Sequence, residues 1–159
     1  MRTLIYLAWV LAMSFLFAQS EIQIEGAAGW ATSLPTWRIE SHWLLDVFWG
    51  GRAMTGYHAW VFSFMAVAFF MPLAFKGRAT CSDAGLALAG LIVFWIAEDA
   101  LWFVLNPAWG WARFDPAIAT WHKHWLMGLP IDYFIGLAVA AAILLRRHGV
   151  GRRRGSARG

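Results

Sequence analysis

Glu98 and Asp99 stand side by side in "FWIAEDALWF" (94–103), within a long apolar run. An ionisable group in such a setting is costly and commonly marks a working site. Other groups able to carry protons or bind metals are spread along the chain. Glu21 and Glu25 lie four apart and share a helix face. His58 closes "TGYH" (55–58), His122 and His124 sit in "WHKHW" (121–125), and Asp132 follows Pro130.

Imidazole and carboxylate together are the ligand types of zinc, iron or manganese sites, and equally those of acid–base catalysis. The expected catalytic pair is Glu98 and His58. The expected metal set is Glu25, His58, Glu98 and His122, with Asp99, His124 and Asp132 behind it. Asp99 is turned about 100° from Glu98 on a helix and is expected to point elsewhere. On a helix the two histidines of "WHKHW" diverge, so only one faces inward; His122 shares a face with Ile118, Trp121 and Trp125 and is preferred. No HExxH or multi-histidine box is present. No histidine pair sits at matched depth on facing spans, as a membrane b-type haem would need.

Each residue also has a structural reading. Glu98 can be a buried acid bonded to another helix. Glu21 can cap a solvated helix end, and Asp132 suits the first turn of a helix, where the dipole favours an acid. Glu25 precedes "GAAGW", whose small residues let backbones approach, and is preferred over Glu21.

The elements that must hold these groups are apolar. Sixty per cent of the 159 residues are hydrophobic, 14% are charged and mean hydropathy is +0.55. That much apolar surface exceeds what a soluble domain of this length can bury, so the expected fold is an all-α integral membrane bundle. The single Cys81 excludes an internal disulfide framework and any CxxC redox pair. Four spans are expected, near 3–25, 55–75, 83–105 and 130–146. Thr55 and Ser82 are expected to cap the second and third. Asn106–Pro107 ends the third, and Pro130 opens the fourth. Two outer segments, 33–51 and 115–128, are expected to be short interfacial helices. In the former, Arg38, His42 and Asp46 would share one face.

Residues 1–145 form one expected domain, followed by a basic tail (146–159) without fixed structure. Six of the 13 basic residues lie in that tail. Its position directly after an apolar segment points to anionic lipid rather than nucleic acid. With both termini cytoplasmic, Arg2, Lys76, Arg78 and the tail put nine basic residues inside, against four outside: Arg38, Arg52, Arg113 and Lys123. The expected location is a plasma or inner membrane in that orientation. Ala18 and Ser20 also fit a secretory signal cut after Ser20; the uncleaved helix is the preferred reading.

In this topology nearly every candidate group lies in or above the outer leaflet, Glu98 roughly 10 Å below its boundary. The expected function is a polar outer-leaflet pocket, as in a metal-dependent enzyme acting on a lipid or other apolar substrate. The alternative is a non-catalytic accessory or interaction subunit of a larger membrane complex. A proton- or ion-coupled carrier ranks last, because the inner halves of the spans offer no polar relay.

Overall fold

The structure, a computed structural model, describes residues 2–156. Four long helices dominate: α1 (Arg2–Glu25), α3 (Gly56–Ala74), α4 (Cys81–Leu105) and α5 (Ile131–Ser156), with a short α2 (Trp43–Phe48) between the first two. Of these, α1, α3 and α4 are long and apolar enough to cross a membrane. The apolar part of α5 ends at Leu145, before Arg146 and Arg147, and is shorter than the ~20 residues a crossing helix needs. The helix itself continues through Ser156, where a tail without fixed structure was expected; residues 157–159 lie outside the described part.

The helix ends follow local chemistry. Thr55 caps α3 by accepting from His58 N (3.1 Å). The cap of α4 is Thr80 rather than the expected Ser82. Thr80 forms a capping box with Asp83, each side chain reaching the other's backbone. Asn106 ends α4 in an extended conformation before Pro107, as the proline requires.

Helix α4 is the axis of the fold. It packs along α1, α5 and α3, while α3 and α5 flank it with little direct packing between them. Close approach is secured by small residues. Gly90 receives the Tyr6 ring, and Gly136 on α5 receives Ile96 on α4, where a Cβ would come within 2.7 Å of the isoleucine. Val10, Met65, Phe69 and Phe94 form one core cluster. Ser14 lies beside it, its hydroxyl donating to Phe94 O (3.1 Å) as well as to its own helix at Val10 O (2.9 Å). A second, largely aromatic cluster gathers Trp102, Phe103, Trp109, Phe114 and Tyr133 with Ala18, Ile22 and Ala119. Trp60, Phe64 and Val67 face outward from α3, each at least 70% exposed.

Neither expected interfacial helix forms as drawn. In 33–51 only Trp43–Phe48 is helical. Arg38–Ile39 (β1) instead pairs antiparallel with Met54–Thr55 (β2), so Arg38, His42 and Asp46 share no helix face. His42 is exposed and caps α2 by accepting from Leu44 N (3.2 Å). Segment 115–128 is a chain of turns ending in a hairpin, Trp125–Leu126 (β3) against Leu129–Pro130 (β4). Its two turn residues, Met127 and Gly128, have φ of 52° and 79°, the double positive φ of a tight hairpin turn.

Candidate functional site

The C-terminal ends of α1 and α4 and the N-terminal ends of α3 and α5 meet at one end of the bundle, under the connecting loops. Between α3 and α5, against α4, they leave a cavity of about 420 Å³. That volume lies in the range of small-molecule sites. Ile92, Ile96, Ile135 and Gly136 line its apolar part. Trp30, Trp49 and Trp121 contribute aromatic walls from the loops.

The polar lining comes from four helices and a loop. Glu98 is 4% exposed, and its Oε1 is buried without a hydrogen-bond partner among the described residues. Glu21, also buried, lies beside Glu98 across the α1–α4 packing and accepts from the Tyr57 hydroxyl at 2.8 Å. Glu25, one turn on, accepts from Ala31 N at 2.7 Å. No ion pair among the described residues engages any of these three glutamates.

His58 is held from two sides. Its Nδ1 is 2.7 Å from Thr55 Oγ1, and its ring stacks on Trp30 with centroids 4.0 Å apart and planes 21° apart. Trp30 takes that position at a backbone cost. Trp30 and Ala31 both have positive φ, 54° and 53°, a conformation non-glycine residues rarely adopt. Three bonds secure the turn besides Glu25: Trp30 Nε1 donates to Ala53 O (2.7 Å), and Arg38 donates to the Trp30 and Ala31 carbonyls (3.1 and 3.3 Å).

A second network closes the other side. Arg52 donates to Asp132 and, at 2.6 Å, to His122 Nδ1. Arginine has no acceptor, so Nδ1 must accept and the imidazole proton is placed on Nε2. That nitrogen is 3.2 Å from Asp99 Oδ2, off the ideal hydrogen-bond direction. Asp99 in turn accepts from the Tyr133 hydroxyl. The His122 ring packs among Phe103, Phe114, Trp125 and Tyr133.

Glu25, His58, Glu98, Asp99 and Asp132 all line the one cavity. Asp99 and Glu98 both line it despite the 100° between them, because the cavity is wide enough to span that part of the α4 surface. His122 is buried behind Asp99 and Arg52. His124 is exposed, and its backbone carbonyl accepts from Ile131 N (2.9 Å). It belongs to no second layer of the site.

Among the described residues no group of three or more His, Cys, Asp or Glu side chains is arranged to hold a metal ion. The expected set of Glu25, His58, Glu98 and His122 is not brought together as one. The reason is local: both His122 nitrogens face other side chains, and His58 Nδ1 and one Glu25 oxygen are already engaged.

Tyr57, Arg52, Tyr133 and Trp30 also line or adjoin the site and are not among the residues expected from the sequence; Glu21, ranked there below Glu25, lines it as well. Glu21 carried a signal, the four-residue spacing to Glu25. Arg52 and Trp30 carried none beyond their residue types.

Buried polar atoms left without partners normally number few and call for explanation. Here they are Trp49 Nε1, Arg52 Nε, Glu98 Oε1, Trp102 Nε1 and His122 Nε2. Four of these belong to residues lining the cavity, and the fifth adjoins it. These atoms gather around the cavity, at the same end of the bundle. No family model, curated protein or solved structure matches the chain.

Proposed function

We propose that the chain is an integral membrane protein of four spans, with both termini cytoplasmic; α5, whose apolar part is short, crosses alongside α4, on which it packs, with the Arg146 and Arg147 stems reaching out to the membrane surface. Its pocket then lies in the outer half of the bilayer. The pocket takes a lipid or other apolar ligand from the membrane through the cleft between α3 and α5, and acts on it by acid–base chemistry. Glu98 is the base and His58 its acid–base partner; Asp99 and Asp132 position Tyr133 and Arg52 at the rim. The observation that carries this reading is the cavity itself, with the buried Glu98 and His58 on its lining and apolar residues of α4 and α5 along its flank. A buried carboxyl at hydrogen-bond reach of a bound group is what general-base catalysis requires.

Photolabelling tests it. A long-chain aliphatic diazirine is added to the protein in lipid vesicles, and labelled residues are mapped by mass spectrometry. Labels on Ile92, Ile96 and Ile135 are expected, beside general labelling of lipid-facing positions. Labels confined to positions such as Trp60 and Phe64 would refute access through the cleft.

A second reading, the non-catalytic subunit, draws on the Trp60, Phe64 and Val67 ridge of α3, which is largely exposed among the described residues. In that case a partner helix covers the ridge and the acids serve as internal glue.

A further inference from the structure

From the same pocket, and resting on its being a ligand site, we infer the chemical class of the ligand's polar end: an uncharged oxygen acceptor, as in a ketone or ester carbonyl, taking a hydrogen bond from His58 Nε2–H. Geometry assigns the proton to that nitrogen. Thr55 is 0% exposed, and its hydroxyl oxygen accepts from His58 N (3.1 Å). The hydroxyl proton needs an acceptor of its own, since buried donors are rarely left unpaired. Among the described residues that acceptor is His58 Nδ1, at 2.7 Å. Nδ1 therefore accepts, the ring is neutral, and its proton sits on Nε2.

The Nε2–H faces the cavity. His58 is 5% exposed and lines that space. Nε2 makes no hydrogen bond among the described residues, yet it is not one of the enclosed atoms left without partners. Part of its surface is thus open, and the open space beside this buried ring is the cavity. The ring is also held in place. It lies nearly parallel to Trp30 and Phe62, with centroids 4.0 and 5.9 Å away, and Thr55 fixes the other nitrogen.

The rest of the lining decides the charge of the acceptor. Glu21, Glu25, Glu98, Asp99 and Asp132 bring five carboxyl groups, against the one guanidinium of Arg52, which already serves Asp132 and His122. A carboxylate or phosphate would meet like charges and no spare cation among these residues. An ammonium has no lone pair to offer an N–H. An uncharged oxygen satisfies the donor without either cost, and Ile92, Ile96 and Ile135 suit an apolar chain on the same molecule.

Short single-chain probes added to the full chain in detergent test this. Methyl hexyl ketone, octylamine, octanoate and octene share a chain of similar length and differ in their polar ends. By tryptophan fluorescence the ketone is expected to bind more tightly than octylamine or octanoate. Isotope-difference infrared spectra of the bound ketone should show its carbonyl stretch lowered by hydrogen bonding. His58→Phe, which keeps the stacking, should remove that shift and weaken ketone binding about fivefold, one net hydrogen bond, while leaving octene binding unchanged. If His58→Phe lacks a cooperative thermal transition, Thr55→Val asks the same question: freed of the hydroxyl, the proton can move to Nδ1 and the carbonyl shift should shrink. Nitrogen NMR of isotope-labelled histidine reads the tautomer in the unaltered chain. A proton on His58 Nδ1 overturns the donor assignment. Octylamine or octanoate binding as tightly as the ketone overturns the uncharged class but leaves a ligand pocket in place. A carbonyl shift that persists in a folded His58→Phe, or is unchanged in Thr55→Val, removes His58 from the recognition. Binding of none of the four, in a protein with a cooperative thermal transition, overturns the pocket reading and this inference with it.

Discussion

Replacing His122 by phenylalanine isolates the polar network that walls the pocket. The imidazole accepts from Arg52 at 2.6 Å and meets Asp99 at 3.2 Å, with its side chain 1% exposed. Phenylalanine keeps the packing against Phe103, Phe114 and Trp125 and removes only the polar role. A hydrogen bond to a charged group contributes about 1.5–3 kcal/mol. The Asp99 contact adds little, since its direction is poor. Stripping a buried pair completely costs about 3–5 kcal/mol, a limit not reached here because Arg52 keeps Asp132 and Asp99 keeps Tyr133. The loss is then about 3 kcal/mol. For a chain of this length about 1 kcal/mol moves Tm by roughly 2–4 °C, so His122→Phe should lower Tm by about 6–12 °C. Asp132→Asn is the control. The Asp132 side chain is 41% exposed and a pair so placed contributes under about 1 kcal/mol, a drop of about 4 °C or less. Thermal unfolding in detergent reads both, with 12 tryptophans as reporters. If the two variants lose equal stability, or His122→Phe loses none, the buried network is not what holds this wall.

Gly29→Ala should displace Trp121, because the new Cβ meets the indole ring that stacks on Phe103 with centroids 5.7 Å apart. Overpacking of this kind costs about 1–3 kcal/mol, and the near-ultraviolet circular dichroism of the tryptophans should change with it. Thr80→Ala should cost about 1 kcal/mol through the lost capping box, while Ser82→Ala stays within about 0.5 kcal/mol; equal effects in thermal unfolding would return the cap to Ser82. A chelator is expected to leave Tm unchanged, since the described side chains form no metal-holding group; a large drop would restore a metal role for Glu25, His58 and Glu98.

The long helices were legible because their signals are local. Apolar runs, the Thr55 cap and the Asn106–Pro107 stop each act within a few residues of where they are read. The loops were not. Segment 33–51 has helical spacing, yet β1 pairs with β2, a strand beyond the end of the segment. In 115–128 Trp121 is claimed by stacking on Phe103 and an edge-to-face contact with Trp109 rather than by a helix face.

The concentration of acids and histidines at one end of the bundle was readable from the apolar pattern alone. His122 was preferred over His124 on helix geometry. It is the buried one, but a turn places it. What pairing each group would find was not readable. Arg52 and Tyr133 reach Asp132 and Asp99 across long sequence separations, and no spacing rule reports such contacts. The Trp30 turn depends on a strained backbone that Glu25 and Arg38 stabilise together.

Cysteine accessibility tests the central claim most directly: a pocket in the outer half of the bilayer whose polar end opens to water on the outer side as well as to the membrane through the α3–α5 cleft. Cys81 is the chain's one cysteine, so Cys81→Ser gives a clean background. Ile96→Cys then places a thiol on the cavity wall, and Phe64→Cys places one on the outward face of α3. In intact proteoliposomes of known orientation, a membrane-impermeant maleimide added outside should modify the Ile96→Cys protein and leave Phe64→Cys untouched. Silence at Ile96→Cys, or modification only from the inside, would contradict the account.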